Sequence, residues 1–171
     1  GKSALMAQAA EQVQNEYPQA AYVTRFIGAT PPSSDIRSLL ESICRQISRI
    51  YGADEKNIPT DYDELTKELP KRLALATAEK PLIIFLDALD QLSETHNAKT
   101  LNWLPADLPD KVKLIVSVIS VLPNGSQEPC YQALTQKLPK EKLMEITPIH
   151  ADEGEQLLNI WLEKDAHRTL Q

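Results

Sequence analysis

Several residue classes that usually announce a function are scarce in this chain. It holds only two cysteines in 171 residues, Cys44 and Cys130, and neither belongs to a CxxC pair or a Cys/His ligand cluster. Cys44 falls on the apolar face of an expected helix, so it reads as a buried free thiol, which suits a reducing compartment. The histidines His96, His150 and His167 show no metal-ligand spacing. Positive charge is also short. Eighteen Lys and Arg against 24 Asp and Glu give a formal charge of -6, which removes any general attraction to nucleic acid or acidic lipid. Long hydrophobic runs are missing too. The longest apolar stretch, PLIIFLDAL, is too short to span a bilayer, and no signal-peptide pattern precedes it. The expectation is a soluble, cytoplasmic protein with no internal repeat or linker dividing it.

What remains is an ordinary globular mixture, 42% hydrophobic and 25% charged, of a length that suits one domain. Helical and extended patterns alternate along it. SALMAQAAEQVQNEY is helix-forming, with Leu5, Met6, Ala9, Ala10 and Val13 along one stripe. AAYVTRFIGA is β-branched and aromatic and stops at Gly28 and the Pro31-Pro32 pair. Ser33, Ser34 and Asp35 are cap candidates for the clearest helix, in which Ile36, Leu39, Leu40, Ile43, Cys44, Ile47 and Ile50 recur at three-and-four spacing. DYDELTKELPKRLALATA predicts another helix, bent or split by Pro70. PLIIFLDALDQL begins as a strand buried on both faces, and DKVKLIVSVIS reads as a second such strand. QEPCYQALTQKL is a short helix, KLMEITPI a further strand, and ADEGEQLLNIWLEKDAHRTL an amphipathic helix with a capping box at Asp152 and Glu155. The order α, β, α, α, β, α, β, α, β, α predicts an α/β layered domain with a mostly parallel sheet.

Two short motifs bear on chemistry. Gly1-Lys2-Ser3 opens the chain where a helix begins, as the last letters of a phosphate-binding GxxxxGK[ST] loop would. Alone, the tripeptide is common enough to arise by chance. Asp87 ends the apolar strand LIIFLD, at the sheet edge where ligands of α/β proteins gather. Taken alone, Asp87 and Asp90 read more simply as caps of a following short helix. Taken together, GKS at a helix start, an intervening strand and an acid on the next strand form the pattern of a P-loop NTPase, with Mg²⁺ as the positive partner of Asp87.

At these residues the sequence resembles a known family. GKS, RFIGATPPSSDIRSLLESICRQI, LIIFLDALDQL, VKLIVSVIS and LLNIWLEKDAHRTL resemble the NACHT-type branch of the STAND ATPases, close to the telomerase-associated protein-like and NACHT-and-WD-repeat group. The resemblance implies a three-layer P-loop NTPase fold and a core over residues 1–150, with 151–171 starting the following helical region. Gly1, Lys2 and Ser3 would hold the phosphates of ATP or ADP, Ser3 and Asp87 would hold Mg²⁺, and Asp90 would polarise the attacking water. Gln91 stands where a Glu often follows. An amide orients water but takes no proton, which puts rapid hydrolysis in question. Ser117 is the candidate for sensing the γ-phosphate, or else an ordinary polar residue of its strand. Ile119 and Ser120 stand where relatives carry an arginine.

The function so implied is a slow ATPase acting as a conformational or oligomerisation switch in a signalling or scaffolding protein. Its partners would be nucleotide, downstream WD or other repeats of the same chain, and other copies of itself. The rivals are a degenerate NTPase-fold interaction module and a small-molecule kinase, for which no Arg-rich lid is visible. The resemblance further implies a strand upstream of GKS, so residues 1–171 read as an excerpt that would fold poorly alone. Arg25 is expected in a surface ion pair, Arg37 and Arg45 solvated, and Trp103 and Trp161 packed.

Overall fold

The computed structural model describes residues 2–105 and 107–146. The chain divides into two compact units, 1–140 and 141–171. Of the second, only 141–146 are described; they begin with the end of a 3₁₀ turn and continue without strand or helix.

The first unit is α/β. Helix α1 (Lys2–Glu16) leads to strand β1 (Ala21–Phe26), then helices α2 (Ile36–Tyr51) and α3 (Tyr62–Leu73), strand β2 (Leu82–Asp87), strand β3 (Val112–Val116) and helix α4 (Pro129–Lys137). The three strands form one parallel sheet in the order β1-β2-β3. Period-two alternation explains why β2 reads as unbroken apolar sequence. Leu82, Ile84 and Leu86 enter the core shared with α2, α3 and α4. Phe85, with Ile83 beside it, packs on the other face against Met6 and Ala10 of α1. A helix layer therefore covers each face, and both cores depend on β2.

The caps are local. Asp35 Oδ2 accepts from Ser38 N at 2.9 Å and so starts α2. Gly52, at φ 68, ends it in the left-handed conformation that favours glycine. Asp61 caps α3 through the amides of Asp63 and Glu64. Pro70 sits inside that helix without ending it, and the helix stops one turn later at Leu73. The predicted continuation through Leu75 and Ala76 is thus not helical.

Three other expectations change. Among the described residues no α-helix joins β2 to β3; two 3₁₀ segments, Leu89–Gln91 and Thr95–Thr100, stand there instead. His96, Asn97 and Leu101 adopt φ of 55, 52 and 54, so the segment kinks and delivers Ala98, Leu101 and Trp103 to the core. Residues 143–146 of the expected strand KLMEITPI are not extended pairs, and its last residues lie outside the described ones. Leu5, placed on the apolar stripe of α1, is 46% exposed, while Met6 and Ala10 are buried. The expected helix over 151–171, with Trp161, His150 and His167, also lies outside the described residues. Cys44 and Trp103 are buried as expected, and Arg45 pairs with Glu41 on the polar face of α2.

Candidate functional site

A cleft of about 420 Å³ opens at the carboxyl ends of β1 and β2, beside the first turn of α1. Ser3 lines it from the helix, Phe26 to Ala29 from the exit of β1, and Asp87, Ala88 and Gln91 from the exit of β2. This is the sheet edge at which parallel α/β proteins collect ligands. It arises here because all three strands run the same way.

Asp87 is the most unusual group in the cleft. It is 4% exposed, and Ser117 Oγ donates to its Oδ1. Among the described residues no Lys or Arg nitrogen pairs with it. A buried carboxylate with a neutral donor and no cation is costly unless something positive reaches it. The oxygens of Asp87 and Ser3 suit a hard divalent cation such as Mg²⁺. No group of three or more His, Cys, Asp or Glu side chains is placed to hold a metal ion among the described residues, so such an ion would need further oxygens from water or phosphate.

Ser117 lies one residue past β3 and is buried. Its amide donates to Leu86 O at 3.0 Å and its carbonyl accepts from Leu89 N at 2.9 Å. It therefore ties the end of β3 to the turn that follows β2. Asp90 sits in that turn with both carboxylate oxygens engaged: Oδ1 accepts from Ile119 N at 3.1 Å and Oδ2 from Gln91 Nε2 at 2.7 Å. Gln91 is exposed and lines the cleft, whereas Asp90 does not. Beneath the turn Leu89 is fully buried, and the thiol of Cys130 donates to its carbonyl at 3.3 Å.

Lys2 opens α1, half-buried and without an ion pair among the described residues, while Gly1 lies outside them. The geometry thus brings Ser3, Asp87, Gln91 and Ser117 together and sets Asp90 one step behind. Sequence reasoning missed Gly28. At φ 83, a Cβ there would come within 2.9 Å of Gln91 Cβ. The signal available was a glycine directly after the strand RFI. Arg25 is corrected as well. Instead of a carboxylate it binds Ser42 Oγ, Ser42 O, Gln46 Oε1 and Thr24 O, all neutral. Burial lowers its pKa.

Comparison with known proteins places these residues in a wider group. The family described as "Nephrocystin 3, N-terminal" matches residues 1–120. The chain is 36% identical over 131 residues to NACHT and WD repeat domain-containing protein 2 of Homo sapiens, covering 72% of this chain and 7% of that protein. It is 32% identical over 176 residues to NACHT domain- and WD repeat-containing protein 1 of Homo sapiens, covering 99% of this chain and 11% of that protein. Telomerase protein component 1 of Rattus norvegicus is 28% identical over 128 residues, covering 70% of this chain and 5% of that protein. The chain thus spans a small fraction of the relatives it matches. No solved structure matches it.

Proposed function

The chain belongs to the nephrocystin 3 N-terminal family, and on that premise we propose that it forms the ATP-binding, slowly hydrolysing core of a larger signalling or scaffolding protein. The observation that carries this reading is the Asp87 carboxylate. It is buried at the tip of β2 with only a hydroxyl donor, in a cleft shared with Ser3 at the start of a helix. In this reading Gly1, Lys2 and Ser3 hold the phosphates at the N-terminal end of α1, where the helix dipole favours negative charge. Lys2 supplies a point charge to the outer phosphates. Ser3 and Asp87 hold Mg²⁺, which draws charge from the phosphate oxygens when bound. Ser117, already on Asp87, responds to whatever reaches that carboxylate. Asp90 and Gln91 act on water. Its oxygen bonds to the γ-phosphorus as the bond to the β–γ bridging oxygen breaks, and ADP leaves with that electron pair. Because Gln91 accepts no proton, the water's proton passes to a phosphate oxygen.

Nucleotide works as a switch only by favouring one of two states. The two states would differ in how the core packs against downstream WD or other repeats of the same chain, or against a second copy. A cytoplasmic location fits this role. Among the described residues no helix is long and apolar enough to cross a membrane.

The test is calorimetry of the full-length protein with Mg-ATP and Mg-ADP, alongside Lys2→Ala and Asp87→Asn. Binding lost in Lys2→Ala and made magnesium-independent in Asp87→Asn supports the reading. A folded protein that binds neither nucleotide ends it. A second reading, a nucleotide-binding module without turnover, is favoured by one observation: both oxygens of Asp90 are already engaged by protein donors. Absence of phosphate release from a protein that binds Mg-ATP selects it.

A further inference from the structure

Gln91 is held from two sides, and the direction of its amide follows from chemistry alone. Its neighbour Asp90 is a carboxylate, which accepts hydrogen bonds and donates none. The Gln91 NH₂ group must therefore face Asp90, as the 2.7 Å bond from Nε2 to Oδ2 has it. The other Asp90 oxygen is fixed by Ile119 N at 3.1 Å, so the carboxylate cannot turn to follow a different partner. What Gln91 leaves for the cleft is its carbonyl oxygen, an acceptor. On the opposite side stands Gly28, whose missing side chain is the room the Gln91 stem occupies. A Cβ at Gly28 would meet Gln91 Cβ at 2.9 Å, Cγ at 3.1 Å and Oε1 at 3.4 Å.

An acceptor aimed into the cleft has a definite selectivity. It repels the oxygens of a phosphate and binds the O–H of water. We propose that Gly28 and Asp90 are positioning residues that lock the Gln91 amide with its oxygen outward, making Gln91 the water-orienting group of the cleft rather than a phosphate contact. This deepens the ATPase reading and rests on it. It also reassigns Asp90, which acts through Gln91 instead of on water directly.

Asp90→Asn gives a test that a merely structural role would not satisfy. Asparagine accepts from Ile119 N through its oxygen and turns its NH₂ toward Gln91. The Gln91 amide must then flip, and a donor faces the cleft. In the full-length protein, single-turnover hydrolysis should fall about a hundredfold, as misplaced reacting groups do, while Mg-ATP binds as well as or better than in wild type. Gly28→Ala should slow turnover to a similar degree with ATP affinity unchanged. If Gly28→Ala does not fold, Asp90→Asn, which is isosteric, carries the test alone. Wild-type turnover in Gly28→Ala, or Asp90→Asn that binds ATP more weakly, overturns the positioning role and leaves the ATPase reading standing. Wild-type protein that binds ATP without any turnover also overturns it. Wild-type protein that binds no ATP removes the ATPase reading itself, and this role with it.

Discussion

The hydroxyl of Ser117 donates to Oδ1 of Asp87 across the gap between the ends of β3 and β2, thirty residues apart in sequence. It is the side-chain hydrogen bond that Asp87 has among the described residues, and both groups are buried. Removing a donor from a buried acceptor costs more than the bond is worth when made, because the acceptor keeps its desolvation penalty. Ser117→Ala should therefore lower the unfolding free energy by about 1–3 kcal/mol, read from the urea midpoint at unchanged slope. Ser117→Thr, which keeps the hydroxyl, should recover most of the loss. Equal midpoints for wild type and Ser117→Ala would mean that the contact contributes nothing.

The start of α2 makes a simpler prediction. Asp35 accepts from both Ser38 N and Ser38 Oγ, at 2.9 and 2.7 Å. It answers donors that the first helical turn would otherwise leave unpaired. Asp35→Ala should cost about 1 kcal/mol, and Asp35→Ser or Asp35→Asn only a fraction of that. Denaturant melts of the three variants distinguish a cap from a charge effect, since Ser carries none.

These two residues mark what the sequence could and could not reveal. Asp35 was visible because capping is local, and the apolar run of β2 with its terminal acid was visible because a strand buried on both faces leaves no polar position. Helix α2 announced itself through its spacing. The partner of Asp87 was hidden by thirty residues of intervening chain. The kinked segment 95–100 was hidden for another reason. It forms a kinked 3₁₀ segment rather than an α-helix because burying Ala98, Leu101 and Trp103 outweighs the cost of left-handed backbone at His96, Asn97 and the capping Leu101. Gln91 was legible as a departure from an acid, but not as the group that faces the cleft. That follows from Ile119 holding Asp90, a contact between strand ends.

Acid should weaken the protein through Glu68. Burial alone would raise its pKa, but hydrogen bonds from Lys71 and Arg72 bring it below the usual glutamate value. Both Glu68 oxygens are used, Oε2 by Lys71 and Oε1 by Arg72, at 2.9 and 2.7 Å. A carboxylate with a lowered native pKa adds stability above its unfolded pKa, about 4.3, and loses it as pH falls through the native value. Asp35, also lowered, adds a further loss that begins below the ordinary aspartate value, about 3.9. Stability should be level from neutral pH to about pH 5 and decline below about 4.3. Glu68→Gln should be less stable at neutral pH and show a flatter acid limb. An acid limb identical to that of wild type would exclude Glu68 as its source.

The two thiols should be silent in the folded protein. Burial first, then the charge of Glu68, pushes Cys44 up to about 12; burial and then Glu128 do the same for Cys130. The reactive species is the thiolate, so almost none exists at neutral pH. A thiol reagent at pH 8 should label neither residue in the native protein and both after denaturation. Rapid labelling of Cys130 alone would show that the turn under Asp90 opens, since its thiol is bonded to Leu89 O.

Arg25 and Gln46 together should keep the sheet from growing at β1. Among the described residues β1 lies at one edge, with the carbonyls of Tyr22 and Thr24 turned away from β2. Gln46 Nε2 donates to Tyr22 O at 3.2 Å and Arg25 Nη1 to Thr24 O at 2.9 Å. The same guanidinium reaches Ser42 and Gln46 of α2, so one side chain fastens the helix and covers the edge. An uncovered edge strand is a template for another chain. Lysine cannot replace this arginine, because a single ammonium does not span four acceptors on two elements. Arg25→Ala with Gln46→Ala should therefore associate at concentrations where wild type does not, detected by sedimentation velocity. Arg25→Lys with Gln46 intact should fall between them. A double variant that sediments as wild type does would show that the edge is protected by something other than these two side chains.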